Sequence, residues 1–397
     1  MIDYIELGEV AKIDRSAASA KECAELPYIG LEHIEKDTGH FAAGYKPRPE
    51  ALLATKFRFT PKHVLYGKLR PYLNKVLLPS FDGVCTTEIL PILPNERKLD
   101  QAYLWAYLLS PEFVSWASES VSGANLPRLD PKLLADHPIP LPSLAEQRRI
   151  AAVLARADRL RRLRRYALEL SAGYLQAVFV EMFGDPVTNS KGWDQAALGD
   201  LCDITRGASP RPIDKFLGGI VPWIKIGDGT KGNELYLSST EDHVTEEGAR
   251  KSVRLKKGSL IFANCGVSLG FARILQIEGC IHDGWLSLAD IDAKHLDPVF
   301  LLKTLNRMTP YLRSLAPEGT QPNLNTGIMK GLPFIVPPLQ LQRKFVDITL
   351  RHERLRGQQR EALRQAEQLF GALLGQAFRG ELGEAAGAMI ADSARSH

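Results

Sequence analysis

Several short stretches carry residue types that could do chemistry. Gly266-Val267-Ser268-Leu269-Gly270 has the GxSxG spacing of a hydrolase nucleophile elbow, in which a strand-to-helix turn exposes the serine. The next stretch, Phe271 to Ile277, reads as another strand rather than a helix, so a hairpin turn is the simpler reading. Cys280, His282 and Asp283 could ligate a metal, but no second cluster completes a set. The glycine-rich run from Gly227 to Gly232 precedes no helical pattern and reads as a surface turn. Glu96, Arg97 and Lys98, with Asp82 upstream, loosely match a nuclease pattern of acids and lysine. Pro94-Asn95 places them in a turn, where that chemistry lacks its strand. Neither GxxxxGK[ST] nor HExxH occurs. Together these sites favour a recognition protein over an enzyme.

The elements around them belong to an ordinary globular chain. Its 397 residues suffice for two or three domains, with 24% charged and 45% hydrophobic residues. No run of 18 apolar residues is present, and Asp3 and Glu6 stand where a signal peptide would be basic. Five cysteines without a CxxC pair make a disulfide framework or a structural zinc unexpected and point to the reducing cytoplasm. The net charge of +4 permits a nucleic-acid partner without arguing for one.

The chain repeats itself at a shift of about 195 residues. Pro138 to Ile150 matches Pro333 to Phe345, including Leu144/Leu339, Gln147/Gln342 and Arg148/Arg343. Leu7-Gly8-Glu9-Val10 matches Leu198-Gly199-Asp200-Leu201, and Pro27-Tyr28-Ile29 matches Pro222-Trp223-Ile224. Val64-Leu65-Tyr66 matches Leu260-Ile261-Phe262, and Asp82 to Cys85 matches Glu278 to Ile281. Gly123 to Leu129 matches Gly319 to Leu324. Several blocks in one order are poorly explained by chance.

Each copy has the same plan. β-rich runs come first: Leu65-Tyr66, Asn74–Leu78 and Val84–Leu93 in one, Ser259–Ala263, Phe271–Ile277 and Trp285–Leu288 in the other. A helical pattern comes next, Gln101–Ser118 and Pro298–Leu315. A proline-rich segment then leads into a long helix. In the first long helix, apolar residues recur every three or four positions from Ile150 through Leu163, Leu170 and Tyr174 to Val178; in the second, from Leu341 to Ala377. Ser143 with Glu146 forms a capping-box pattern at one start, and Pro337-Pro338 marks the other. Rods of roughly 55–60 Å need a partner for their stripes, and each other is the obvious one. Each has eight basic residues against four acidic, or +4, which leaves −4 for the rest. A solvated helix face explains that charge; an acidic partner, DNA or protein, would also fit.

Two variable units, each closed by a P-P/S-L-x-x-Q-R segment and a long helix, resemble the specificity subunit of a type I restriction–modification enzyme. Ile139–Phe183 and Val336–Gly380 bear the likeness, supported by Gly67-Lys68-Leu69-Arg70-Pro71-Tyr72 and Gly319–Leu324. It covers nearly the whole chain up to about residue 381. The resemblance implies an α/β (α+β) chain with two pseudo-repeated target-recognition domains, separated by two long helices in an antiparallel coiled coil. The expected boundaries are 1–142 and 184–337 for the domains, 143–183 and 338–380 for the helices, and 381–397 for a disordered tail.

It further implies a non-catalytic subunit that recognises an asymmetric bipartite target in double-stranded DNA. Two adenine-specific methyltransferase subunits and a translocating endonuclease subunit would dock on it. S-adenosylmethionine, magnesium and ATP would belong to those partners, and no cofactor to this chain. A related bifunctional restriction system, or a coiled-coil scaffold binding only proteins, remains open. Base readout needs Arg, Lys, Asn or Gln at the groove. On that ground Lys68, Arg70, Tyr72, Asn74 and Arg128 are the candidates in the first copy, and Arg211, Lys225, Gln321 and Asn323 in the second.

Overall fold

The computed structural model describes residues 3–50, 55–123, 125–230, 235–266, 268–316 and 323–382. Two compact units result. Unit 1 combines the residues up to Leu168 with those from Gln358 on, and unit 2 is Glu169–Gly357. Of the expected tail 381–397, Leu382 is buried in the core of unit 1, and the residues from 383 on lie outside the described residues.

In each unit the first strand pairs antiparallel with the last: Tyr4–Glu6 with Pro138–Pro140, and Gln195–Ala197 with Pro333–Ile335. The flanking bonds repeat too, Leu7 N to His137 O and Leu198 N to Leu332 O, both at 2.9 Å. Besides the hairpin Val121–Ser122/Arg128–Leu129, two larger sheets hold the remaining strands of unit 1. One runs Ala11–Ile13, Ile89–Pro94, Val64–Gly67, Val76–Leu77, and the other Tyr28–Ile29, Gly83–Thr86, Lys56–Phe59. Unit 2 has the same two orders: Asp203–Arg206, Trp285–Ala289, Leu260–Ala263, Ala272–Leu275, and Leu217–Ile224, Gly279–Ile281, Val253–Leu255. It adds one edge strand to each, Tyr236–Leu237 and Asp242–Val244. The repeat is therefore a repeat of topology as well as of sequence.

Several expected elements are shorter than their patterns. Asn74 stands in a left-handed turn, ahead of a strand limited to Val76–Leu77. The helical pattern after Gln101 is two helices, Gln101–Leu109 and Pro111–Glu119, because proline lacks the N–H a continuous helix needs. Pro310 accompanies the same break, into Pro298–Arg307 and Thr309–Leu315. The first long helix runs Leu144–Ala172 and, after Gly173, Tyr174–Phe183; the second is unbroken over Leu339–Phe378. Only half of the capping box forms. Ser143 Oγ accepts from Glu146 N at 3.3 Å, while the Glu146 carboxylate turns to Arg149.

A buried glutamine seats each long helix. Gln147 Oε1 accepts from Asp100 N at 2.8 Å, and Nε2 donates to Lys98 O at 3.0 Å and Pro142 O at 2.8 Å. Gln342 does the same with Asp297 N, His295 O and Pro337 O, at 2.9, 2.8 and 2.7 Å. Both glutamines are fully buried. Asp100 and Asp297 in turn cap the helices Gln101–Leu109 and Pro298–Arg307. A second tie lies eleven residues further along in each copy. Buried Asp158 contacts His40 at 2.9 Å and Arg161 at 2.7 Å, and buried Glu353 contacts Lys303 at 3.4 Å. Burial alone would raise Asp158; its bonds to His40 and Arg161 hold the carboxyl below its usual value.

Within unit 1 the first long helix runs antiparallel to the end of the second. Arg149 reaches Leu382 O, Arg161 covers the Phe370 ring at 3.9 Å and Arg165 pairs with Glu367 at 3.0 Å. Within unit 2, Tyr174 stacks on His352 at 5.4 Å and Phe179 meets Phe345 edge-on at 5.4 Å. The expected apolar stripe is only partly buried. Ile150, Val153, Leu154 and Ala157 join the unit 1 core, whereas Leu163, Leu170 and Tyr174 are exposed. Around Leu163 the buried positions are taken by Asp158 and Arg161 instead.

The glutamine joint can be tested by stability. Gln147→Leu should lower the unfolding free energy of unit 1 by roughly 2–4 kcal/mol, because one amide loses its acceptor and two carbonyls lose a donor. Gln342→Leu should do the same to unit 2. Urea denaturation measures both, and losses under ~0.5 kcal/mol would mean that the joint is not needed. A second prediction concerns His137, buried against Trp116, with Nε2 2.8 Å from the Tyr107 hydroxyl. Burial lowers its pKa to about 4. The unfolded chain takes up that proton near pH 6.5 and the folded chain only near 4, so unit 1 should lose stability as pH falls through this window. Unit 2 has Leu332 at the equivalent place. His137→Leu with Tyr107→Phe should flatten the acid limb of a midpoint-versus-pH curve; an unchanged limb would acquit His137.

Candidate nucleic-acid interface

Two motifs far apart in sequence meet at one edge of unit 1. Arg70 N donates to Pro127 O at 2.7 Å and Leu129 N to Lys68 O at 3.0 Å, while Leu69 bridges Arg128. The turn after Val64–Gly67 is thereby stitched to the hairpin formed by Val121–Ser122 and Arg128–Leu129. Lys68, Arg70 and Arg128 are gathered there, with Tyr72 on the same turn and 53% exposed. Arg128 Nε pairs with Glu88 at 3.0 Å. Lys68 is half-buried and Arg70 exposed, and neither side chain has a hydrogen-bond or ion-pair partner among the described residues.

Asn74 does not belong to this exposed set. It is buried, with Nδ2 donating to Leu109 O at 3.3 Å, and so anchors the turn from beneath. Its own conformation is left-handed at φ 45°, and Arg70 at the other end of the turn has φ 52°. Asparagine tolerates that region; arginine does so at a cost of roughly 1 kcal/mol.

Unit 2 repeats one of these bonds and the bridge with different residues. Leu324 N donates to Asn264 O at 2.8 Å, and Cys265 bridges Asn323. The turn ends at Gly266 and Gly270, with φ 70° and 103°, where unit 1 has Arg70 and Asn74. Asn264, the counterpart of Lys68, is fully buried and donates to Asn323 Oδ1 at 3.2 Å. Of the candidates on this side only Asn323 lies at the edge, and Gln321 falls outside the described residues. Arg211 and Lys225 instead line a cleft of about 470 Å³ with Ser209, Trp223 and His282. Arg211 lies 3.5 Å from Asp283, and Lys225 is ion-paired to Asp242, which raises its ammonium pKa. The second copy's candidates therefore form two groups rather than one.

The sites weighed for catalysis find structural roles. The GxSxG stretch joins two antiparallel strands, Leu260–Ala263 and Ala272–Leu275, so it is a hairpin and no elbow. Cys280 donates to Ala249 O from within the core. Among the described residues no three of His, Cys, Asp and Glu converge as a metal-ligand set. Lys98, in the supposed nuclease cluster, supplies a carbonyl to Gln147. The pairings of Glu88, Asn264 and Asp283 had no sequence signal, because their partners lie 40 to 74 residues away; Asp283, weighed as a metal ligand, accepts from Ser209 instead.

Two α/β units that repeat one strand order, each with a turn tied to a distant segment and each seated on a long helix, define a duplicated protein of two like units. The profile of the type I restriction modification DNA specificity domain matches residues 2–169 and 190–365, and the chain belongs to that family. It is 30% identical over 190 residues to the Escherichia coli type I restriction enzyme EcoDI specificity subunit, spanning 47% of this chain and 42% of that one. The aligned part thus falls well short of that relative's full length. The Methanocaldococcus jannaschii type I restriction enzyme MjaIX specificity subunit is 24% identical over 86% of this chain and 83% of its own. The fold is shared with a chain solved in work on complex assembly and conformational transition of the type I R-M system. There the TM-score is 0.63 at 21% identity, covering 96% of this chain and 98% of that one. It is also shared with the type I restriction–modification S subunit from M. genitalium, with TM-score 0.59 at 14% identity, over 95% and 96%. Among the described residues no helix is long and apolar enough to cross a membrane.

The left-handed turn yields a test of its own. Arg70→Gly should be more stable than Arg70→Ala by roughly 1 kcal/mol, because only glycine occupies φ > 0 freely. Equal stabilities in chemical denaturation would mean that the turn does not hold this conformation in solution.

Proposed function

We propose that this chain is the DNA-recognition subunit of a type I restriction–modification system, acting in the cytoplasm without catalysing a reaction itself. Residues 1–142 and 184–337 are its target-recognition domains, and each reads one half of a bipartite duplex target. The observation that supports this most is the repeated tie between a turn and a distant segment, Leu69 to Arg128 in one unit and Cys265 to Asn323 in the other, made with different side chains. A duplex offers two equivalent half-sites to a protein with repeated heads. Because Arg70 in one edge answers to Gly266 in the other, the half-sites should differ in sequence.

The long helices would dock two adenine-specific methyltransferase subunits and, through that assembly, a translocating endonuclease subunit. S-adenosylmethionine, magnesium and ATP would be bound by those partners. The direct experiment is methyl transfer from labelled S-adenosylmethionine to duplex DNA. The isolated chain should transfer nothing, and the chain with its methyltransferase partner should modify adenines in one asymmetric bipartite motif. Transfer by the chain alone, or modification without a motif, would contradict the proposal.

A further inference from the structure

The edge of unit 1 contains a residue that its own backbone disfavours. Arg70 takes a left-handed conformation, φ 52° and ψ 66°, at the position where the sister unit has glycine at φ 70°. Nothing among the described residues compensates for an arginine there. Its side chain is exposed and has no ion-pair or hydrogen-bond partner among them. The backbone is held from both sides, by Arg70 N to Pro127 O and by Leu73 N to Arg70 O, at 2.7 and 2.9 Å. The conformation is therefore imposed on Arg70, and glycine would suit it better. In unit 2 a Cβ at Gly266 would meet nothing within 4 Å, so φ, and not space, separates the two positions. Arg128 nearby is already committed to Glu88, which leaves Lys68 and Arg70 as the free cations of this edge among the described residues.

We infer that Arg70 is a specificity-determining residue that reads a guanine in the half-site of unit 1, and that unit 2 lacks this contact. The inference rests on the DNA-recognition reading above and deepens it. A guanidinium is a planar fork of fixed donors, and the acceptor pair it fits in the major groove is guanine O6 and N7. A rigid turn, pinned to the hairpin at one end and anchored by buried Asn74 at the other, suits such a geometry better than a mobile loop. Gly266 presents no side chain at the equivalent place, so the half-site of unit 2 is read without an arginine from this turn.

The test uses the chain assembled with its methyltransferase partner. The motif of the unaltered complex is read by sequencing methylated adenines in cells, and duplexes substituted at each motif position are then used for binding. Arg70→Gly relieves the backbone, so loss of folding does not confound it. The expected result is that one guanine in one half-site becomes degenerate. Discrimination at that base should fall about ten- to a hundredfold, with the other half-site unchanged. Arg70→Lys should restore part of it. An unchanged motif with Arg70→Gly would overturn the inference. So would a uniform loss of affinity for all sequences with a shallower salt dependence, since that marks a phosphate contact. If the unaltered complex modifies DNA without any motif, the DNA-recognition reading falls as well.

Discussion

The structure depends on one neutral side chain used twice. A glutamine amide offers one strong acceptor and two donor hydrogens. At Gln147 and Gln342 these meet one backbone N–H and two backbone carbonyls, in full burial. One bond returns to the proline five residues earlier, which fixes how the proline-rich segment enters the long helix. The other two reach the start of a helix in the head. A glutamate could not replace it, because a carboxylate donates nothing to the two carbonyls and would leave a buried charge. The P-x-L-x-x-Q pattern thus spells a joint, and the orientation of each head on its own helix comes from it.

Beyond the joint the two copies share their strand orders and differ in side chains, both beneath and on the edge. The strand orders agree, the first and last strands pair in both, and one equivalent hydrogen bond ties the turn in each, Leu129 N to Lys68 O and Leu324 N to Asn264 O. The side chains on that edge do not agree: Lys68, Arg70 and Tyr72 answer to Asn264, Gly266 and Ser268. Unit 2 also widens both sheets by one strand and places Arg211 and Lys225 in a separate cleft. A scaffold that holds its edge through backbone bonds is free to vary what the edge presents, which suits recognition of unrelated half-sites.

Much of this was legible from residues alone, since a period of about 195 and helical spacing are local patterns. The two heads, the long helices and the hairpin reading of Gly266–Gly270 came from them. What local patterns could not show were partners distant in sequence. Asn74 has the chemistry of a base reader and is buried beneath Leu109 O instead. Arg128 was legible as a cation but not as the partner of Glu88. Leu163 and Leu170 fit an apolar stripe and are exposed, because a periodic stripe does not say which of its turns meets a neighbour. The helix breaks at Ser110-Pro111 and Gly173 were written in the sequence, yet the surrounding periodicity masked them.

The central claim is that equivalent turns of the two units face different halves of one DNA target. Photocrosslinking tests it most directly. A photoreactive amino acid replaces Tyr72 in one sample and Ser268, its repeat equivalent, in another, and each chain is assembled with its methyltransferase partner on the target duplex. The account predicts crosslinks from position 72 confined to one half-site and from position 268 confined to the other. Crosslinks from both positions to the same half, or from neither to DNA, would contradict it.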